Sequence, residues 1–312
     1  MVLDAQSEMI VDAMRQMGML PLRTLGVEGM RQMTEAGDAF GQGPALGAVE
    51  DITVGGPSDV RVRLYRPAVD DCPLPLCVYF HGGGWVMGGI ESHDLSCRQL
   101  AHDGGCLVAS VAYRLAPEHP FPAAVDDAWA AAHWLIEHAE EFGADADRVA
   151  VAGDSAGGNL AAVVARLARD AGRTLLFQLL VYPVVDRRLD RPSMVENESG
   201  FLLERADMEW FWALYDPDGV AAADPRAALT VATDLEGLPP ALVITAEHDP
   251  LRDEGEEYGA LLEDAGVAVT VRRYPGVFRG FFTMNGALNA AAAAHNDAAA
   301  ALRAAFGSGR AG

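Results

Sequence analysis

Short apolar runs alternate along the chain with longer segments in which apolar residues recur at helical spacing. The runs are rich in β-branched and aromatic side chains, which is typical of buried strands. They lie at residues 76–80, 106–112, 149–152, 175–182, 241–246 and 267–274. Two further apolar runs, at 49–54 and 60–65, flank the glycine-rich segment 55–59 and predict a hairpin ahead of the other strands.

Helical spacing occupies the intervals between most of these runs. Predicted helices cover residues 93–103, a segment that begins after Pro122, and residues 159–169, 254–265 and 288–306. Strands that alternate with helices favour a mainly parallel sheet with helices on both faces. The sequence therefore predicts the α/β class.

Two segments stand outside the alternation. Residues 1–45 are rich in methionine, and Met14 and Met17 lie in a run with helical spacing that predicts amphipathic helices. A methionine stripe of this kind either packs into a core or lines an adaptable apolar pocket. Residues 186–223 are rich in charged and aromatic side chains, Trp210 and Phe211 among them, and predict an inserted helical segment.

Composition narrows the function classes. The 312 residues carry a formal net charge of −22, which suits a solvated acidic surface, and nothing supplies the basic stripe that nucleic acids require. No stretch approaches the roughly 20 apolar residues of a membrane span, and the first residues do not resemble a secretory signal. Cys72, Cys77, Cys97 and Cys106 form no CxxC pair and suggest no zinc site. We therefore expect a reduced, cytoplasmic protein that binds neither nucleic acid nor membrane.

The segment Gly153-Asp-Ser-Ala-Gly157 carries the strongest chemical signal. It fits G-x-S-x-G and lies between a predicted strand and a predicted helix, where a sharp turn presents the serine hydroxyl. The alternative is a glycine-rich turn with a serine that caps the helix. The strand–turn–helix context favours Ser155 as a nucleophile, with the helix amides facing developing negative charge.

A second signal is the run of three glycines that follows His81. Glycines let the backbone approach a ligand closely, so the amides of Gly83 and Gly84, with that of Ala156, predict an oxyanion hole. A phosphate-binding loop is the rival interpretation, but no Gly-Lys-Ser/Thr follows. His81 itself is expected to brace the loop.

The third signal is Asp249, which follows the predicted strand 241–246. A carboxylate at this edge of a sheet, later in the chain than the serine, suits the acid that orients a catalytic base. The alternative is a surface acid in a loop.

These motifs, together with the segments 113–122 and 249–255, closely resemble the hormone-sensitive-lipase family of bacterial esterases. The resemblance implies an α/β-hydrolase fold, hydrolysis of short to medium acyl esters as small-molecule substrates, and neither a cofactor nor a metal. It also implies a cap made of residues 1–45 and 186–223 over a core of residues 46–185 and 224–308. Met14, Met17, Trp210 and Phe211 are the expected contributors of that cap to the substrate pocket.

One position departs from the resemblance. The family carries a histidine in a Gly-x-x-His-Gly-Phe context after the last strand, and this chain has Arg279 there. Arginine stays protonated and has no acceptor atom, so it cannot take the proton of Ser155. We expect an ion pair between Arg279 and Asp249 instead, and no rescue by another histidine.

Three interpretations of Arg279 follow. It is an engineered or selected replacement in a real esterase, or it belongs to a natural enzyme with weakened or altered chemistry in which it helps to bind an anionic group. The third is a non-catalytic small-molecule-binding descendant of the fold.

Apolar and polar residues alternate along the predicted strand 267–274, which could lie at the sheet edge. A second copy of the chain could pair with it there to form a homodimer.

Overall fold

The computed structural model describes residues 2–18, 21–35, 41–56, 58–69 and 73–308. Cys72 lies outside them. The described strands are β1 (Ala48–Val54), β2 (Val60–Arg66), β3 (Leu74–Phe80), β4 (Leu107–Ala112), β5 (Ala144–Asp154), β6 (Phe177–Val181), β7 (Ala241–His248) and β8 (Val269–Phe278). The described α-helices are α1 (Ala5–Gln16), α2 (Gly26–Glu35), α3 (Asp94–Gly104), α4 (Ala123–Glu137), α5 (Ala156–Asp170), α6 (Pro192–Glu196), α7 (Arg205–Tyr215), α8 (Arg252–Asp264) and α9 (Asn289–Ser308).

The strands form one sheet in the order β1-β2-β4-β3-β5-β6-β7-β8. β1 and β2 form the predicted antiparallel hairpin, β2 pairs antiparallel with β4, and the remaining neighbours are parallel. The sheet and its helices confirm the predicted α/β class. As predicted, the last strand lies at an edge of the sheet.

Helices cover both faces of the sheet, and each face has its own apolar core. One core contains buried side chains of α4, α5 and α8, and the other contains those of α3 and α9. β3 is buried at every position, as is expected of a strand covered on both sides. The continuous apolar runs in the sequence therefore reflect strands that are buried on both faces of the sheet.

Two predicted strand ends differ from the observed ends by four residues or more. β5 begins at Ala144, before the predicted start at 149, because it continues across an irregularity in its pairing with β3 between Pro75 and Leu76. β8 extends to Phe278 rather than 274, because its pairing with β7 resumes after a second irregularity and joins Phe278 to His248. The second extension matters, since it brings Arg279 to the end of a strand.

The two segments outside the alternation are helical where the structure describes them. Helices α1 and α2 precede β1, and α6 and α7 lie between β6 and β7. The Arg23 side chain donates to Glu204 and Asp207 beside the start of α7, at 2.8 and 3.2 Å. This contact ties the N-terminal segment to the inserted one.

Candidate active site

Neighbouring strands end at one edge of the sheet, and each is followed by a candidate residue. Ser155 follows β5, Tyr182 follows β6, Asp249 follows β7 and Arg279 follows β8. Because parallel strands present their carboxyl ends at the same edge, sheet topology alone brings these side chains together. The glycine loop that follows β3 joins them from the other side.

The turn at Ser155 is sharp and strained. Ser155 has φ 57° and ψ −120°, in a region that side-chain-bearing residues rarely adopt. A Cβ on Gly157 would lie 1.9 Å from the carbonyl oxygen of Phe80, so only glycine fits there. The turn is held by a hydrogen bond from the Ser155 amide to the Val181 carbonyl, at 2.9 Å. Strain and close packing together present the serine side chain to a cavity.

The Ser155 hydroxyl has no hydrogen-bond partner among the described residues. The same holds, within the described ranges, for the amides of Gly83 and Gly84. Ala156 is the first residue of α5, so its amide has no acceptor within the helix. Gly83 and Gly84 have φ values of 116° and 60°, and both line the cavity with Ser155. The predicted nucleophile and two of the predicted oxyanion donors thus face one space.

A buried carboxylate lies between the serine turn and the glycine loop. Asp154 accepts hydrogen bonds from the Tyr79 hydroxyl at 2.8 Å and from the Gly82 amide at 2.9 Å, and His93 Nε2 lies 3.1 Å from it. Burial raises the pKa of the Asp154 carboxyl, but its interactions with His93, Tyr79 and His81 together outweigh burial and the pKa is lowered. Asp154 is therefore held as an anion.

His81 has the bracing position expected from the sequence. Its Nδ1 lies 2.8 Å from the Gly82 carbonyl oxygen, and its ring stacks on Tyr113 with centroids 4.2 Å apart. Complete burial lowers the pKa of His81 to about 3, so the ring is neutral at neutral pH. A neutral, packed ring supports the loop without adding charge to it.

Asp249 and Arg279 form the ion pair predicted from the sequence. Arg279 Nη1 lies 2.7 Å from Asp249 Oδ2, and Nη2 donates to the Tyr182 carbonyl at 2.9 Å. The guanidinium also lies over the Tyr182 ring, 4.9 Å from its centroid. Burial raises the pKa of Asp249, while the Arg279 charge and the Leu251 amide oppose that rise. Both side chains are almost fully buried, so this pair is a fixed part of the site.

The cavity has a volume of about 260 Å³ and a mainly apolar lining. Of the predicted pocket residues, Met14 and Phe211 line it. Met17 does not, because it follows the end of α1 and is 65% exposed. Trp210 does not line it either, and its ring packs edge-on against Phe211 and against the apolar core. Of the four predicted pocket residues, Met17 and Trp210 therefore lie outside the lining of this cavity.

Several cavity residues escaped the sequence analysis. They are Leu22, Met33, Thr34, Met87, Ser92, His93, Leu95, Tyr182, Leu202, Leu203, Thr283 and Met284. For Met33 the methionine-rich start of the chain was a usable signal. Tyr182 was predicted only as a strand end. Its position in the cavity lining follows from the order of the strands in the sheet, which cannot be read from the sequence.

Among the histidines in the described ranges, His93 lines the same cavity as Ser155. Its Nε2 is engaged with Asp154, and its Nδ1 lies 2.8 Å from the Ser92 hydroxyl. His248 is buried beside Phe201 and does not line the cavity. In the part of the chain that the structure describes, Asp249 pairs with Arg279 and with no histidine side chain.

A family model described as alpha/beta hydrolase fold matches residues 77–283. The chain belongs to this family. Carboxylesterase NlhH of Mycobacterium tuberculosis is 47% identical over 262 residues, 82% of this chain and 82% of that protein. Ethyl acetate hydrolase of Pseudomonas putida is 41% identical over 285 residues, 88% of this chain and 89% of that protein.

Solved structures repeat this result. The hyperthermophilic esterase of the archaeon Pyrobaculum calidifontis superposes with a TM-score of 0.89 at 42% identity, covering 97% of this chain and 99% of its own. An ester hydrolase from the metagenome of Lake Arreo, solved with a bipyridine phosphonate derivative, gives 0.91 at 43% identity, covering 98% and 100%. Similarity at this level extends over nearly the whole length of the chain.

No helix in the described part of the chain is long and apolar enough to cross a membrane. Nor do the described residues contain a group of three or more histidine, cysteine or acidic side chains that could hold a metal ion.

Proposed function

We propose that this chain is a carboxylic-ester hydrolase whose nucleophile is Ser155 and whose turnover is limited by Arg279. The observation that carries the proposal is a strained serine that faces a cavity together with the Gly83 and Gly84 amides, which lack partners among the described residues. The esterases among its relatives support the reaction class.

In the proposed reaction the Ser155 oxygen attacks the carbonyl carbon of an ester. The amides of Gly83, Gly84 and Ala156 would stabilise the negative charge that develops on the carbonyl oxygen. The tetrahedral intermediate collapses with loss of the alcohol, and water then releases the acid from Ser155. Each half of the cycle needs a base that takes a proton and returns it.

Arg279 occupies the position from which that base would act. In an esterase with a complete catalytic triad, the acid at the position of Asp249 orients a histidine. Here the Asp249 carboxylate is neutralised by a guanidinium, which cannot accept a proton. Loss of the base typically costs on the order of 10⁶ in turnover, with residual catalysis from the oxyanion hole and from binding. We therefore expect slow acylation of Ser155 and still slower release of the acid.

The cavity lining favours uncharged esters with short to medium acyl groups. Methionine, leucine and phenylalanine side chains surround the space, and flexible methionines adapt to different apolar groups. An anionic group would have to compete with Asp249 for the charge of Arg279, because the buried ion pair already neutralises the guanidinium. No relative reported above favours the non-catalytic alternative, which becomes one outcome of the test.

The test measures release of p-nitrophenol from the acetate, butyrate and octanoate esters. Ser155→Ala should abolish the residual enzymatic rate, and Arg279→His should raise kcat by at least about 10³-fold, because a neutral imidazole beside Asp249 restores the base. Arg279→Gln is the matched control, since it removes the charge without supplying a base and should stay slow.

Three results would each contradict a part of the proposal. A residual rate that survives Ser155→Ala would show that another group is the nucleophile. An Arg279→His variant that binds apolar esters but stays inert would favour a binding protein. Robust turnover by the unaltered chain would instead refute the role assigned to Arg279.

We also propose a cap that comprises α1, α2, α6 and α7, because Met14 of α1 and Phe211 of α7 line the cavity. Cys77, Cys97 and Cys106 are free thiols, which agrees with a reducing cytoplasm. A homodimer that pairs the exposed edge of β8 stays a prediction, to be tested by light scattering.

A further inference from the structure

Three consecutive glycines give the proposed oxyanion loop almost no side chain with which to anchor itself. Glycine backbones are the most permissive in proteins, yet oxyanion donors act only when they are fixed before the reaction. Groups outside residues 82–84 must therefore hold these amides in place. After the loop, the buried Trp85 ring stacks on Tyr215 with centroids 4.1 Å apart.

Before the loop, the anchor is polar. The Gly82 amide lies 2.9 Å from Asp154 Oδ1 and 3.2 Å from His93 Nε2. A carboxylate can only accept, so a hydrogen on Nε2 points towards Asp154, and the Gly82 amide takes the shorter bond to the same oxygen. Asp154 directly precedes Ser155, so one carboxylate connects the first glycine of the loop to the serine turn.

His93 extends this connection to the far end of the glycine segment. Its Nδ1 lies 2.8 Å from the Ser92 hydroxyl, which accepts from the Gly89 amide and donates to the Gly89 carbonyl, both at 3.0 Å. His93 is 7% exposed and sits between Gly82 and Gly89. A Cβ on Gly82 would lie 2.2 Å from Asp154 Oδ2, which shows how closely the carboxylate packs under the loop.

We propose that His93 and Asp154 are positioning residues, which fix the Gly82–Gly84 amides at the place where charge develops during attack by Ser155. The inference rests on the proposed function and adds two residues to it. Neither side chain needs to touch the substrate. Their effect should appear mainly in the rate of bond formation at Ser155 and far less in the affinity of the cavity, which His93 also lines.

The experiment measures phosphonylation of Ser155 by an alkyl p-nitrophenyl phosphonate, which requires no turnover. The serine oxygen forms a bond to phosphorus, the bond to p-nitrophenolate breaks, and the serine proton passes to solvent. Release of p-nitrophenolate gives the rate constant kinact and the half-saturation constant KI, and the mass of the intact protein confirms a single adduct. The rate is measured for the His93 variants described below, both with Arg279 retained and in the Arg279→His background.

His93→Leu should lower kinact by about 10- to 100-fold with KI within about twofold, because misplaced oxyanion donors lose stabilisation of the transition state. His93→Gln should recover most of the rate, since its amide nitrogen can reach Asp154. His93→Asn, whose shorter side chain cannot, should resemble His93→Leu. The matched control is His102→Leu, which removes an exposed histidine that also pairs with an aspartate, Asp103.

An unchanged kinact in His93→Leu overturns the inference, as does a loss that Gln and Asn share equally. Should His93→Leu fail to fold, the comparison of Gln with Asn decides the question. If Ser155 is labelled in neither background, the proposed function itself fails, which is a distinct result from equal labelling of all His93 variants. Thermal midpoints of every variant separate a loss of positioning from a loss of fold.

Discussion

At the scale of single residues, the site depends on backbone conformations that few side chains tolerate. Ser155 is held at φ 57° by its neighbours, and Gly157 has no room for a Cβ beside Phe80. Such strain costs on the order of 1–3 kcal/mol and persists where the surrounding structure enforces it. The serine turn therefore exchanges some stability for the exposure of a hydroxyl.

This strain can be measured by comparing Ser155→Gly with Ser155→Ala. Glycine adopts the observed angles without strain, whereas alanine keeps the strain and loses only the hydroxyl. Glycine also adds conformational entropy to the unfolded chain, which offsets part of the relief of strain. We therefore expect Ser155→Gly to be more stable than Ser155→Ala by about 1 kcal/mol. Urea unfolding of the two variants checks this. Equal stabilities would mean that the turn is not strained.

At the scale of elements, a helix can present one methionine to the cavity and turn another away. Met14 of α1 lines the cavity, while Met17 follows the last residue of the helix and is 65% exposed. Their spacing in the sequence places them near one another on one helical face, yet the two side chains differ in burial. Met17 is the C-cap residue of α1 and its side chain is exposed, whereas Met14 lies one turn earlier and lines the cavity.

The two methionines form a matched pair for a binding measurement. Met14→Ala should weaken binding of the octanoate ester or of an apolar phosphonate by about five- to tenfold, because apolar contact area at the cavity wall is lost. Met17→Ala should leave the affinity unchanged. If both variants bind alike, the cavity wall at α1 does not contact the ligand.

The start of α7 depends on a reciprocal capping arrangement. Glu204 and Asp207 form a capping box, and buried Asp207 also accepts from the Arg23 amide at 3.0 Å. Asp207→Ala should reduce the free energy of unfolding by about 1–3 kcal/mol, since buried donors lose their acceptor. Hydrogen exchange should increase first in α7. Glu209→Ala, an exposed change on the same helix, should alter neither quantity, and similar effects of both would contradict this role for the cap.

At the scale of the whole molecule, the core contains two histidines that stay neutral in mild acid only while they are buried. Burial lowers the pKa of His81 to about 3 and that of His295 to about 4. In the unfolded chain both histidines titrate near 6.5. Between these values the unfolded state binds more protons, so their contribution to stability is present above about pH 6.5 and is lost as the pH falls towards the folded values.

Near pH 5 each of these histidines should therefore cost about 2 kcal/mol of stability relative to pH 7.5. Urea unfolding at the two pH values measures the sum. His295→Leu removes one titrating group and should reduce the difference by about half of the histidine contribution. If the difference is the same in both proteins, His295 is already accessible to protons in the native state.

The sequence by itself determined the alternation of strands and helices, because burial on both faces of a sheet leaves continuous apolar runs that any reader can find. It also determined the serine turn and the glycine loop, since tight turns and close backbone approach restrict the residue types at fixed neighbouring positions. These are local constraints, and a local pattern records them.

Only the tertiary structure decided which distant residues meet. Tyr182 and Arg279 share a contact because β6, β7 and β8 are neighbours in the sheet, and Phe278 pairs with His248 only after an irregular step in the ladder. His93 joins Asp154 because α3 begins beside the end of β5. The physical reason is that side-chain contacts across a fold depend on strand order, register and the points where helices end, and none of these leaves a periodic trace in the chain.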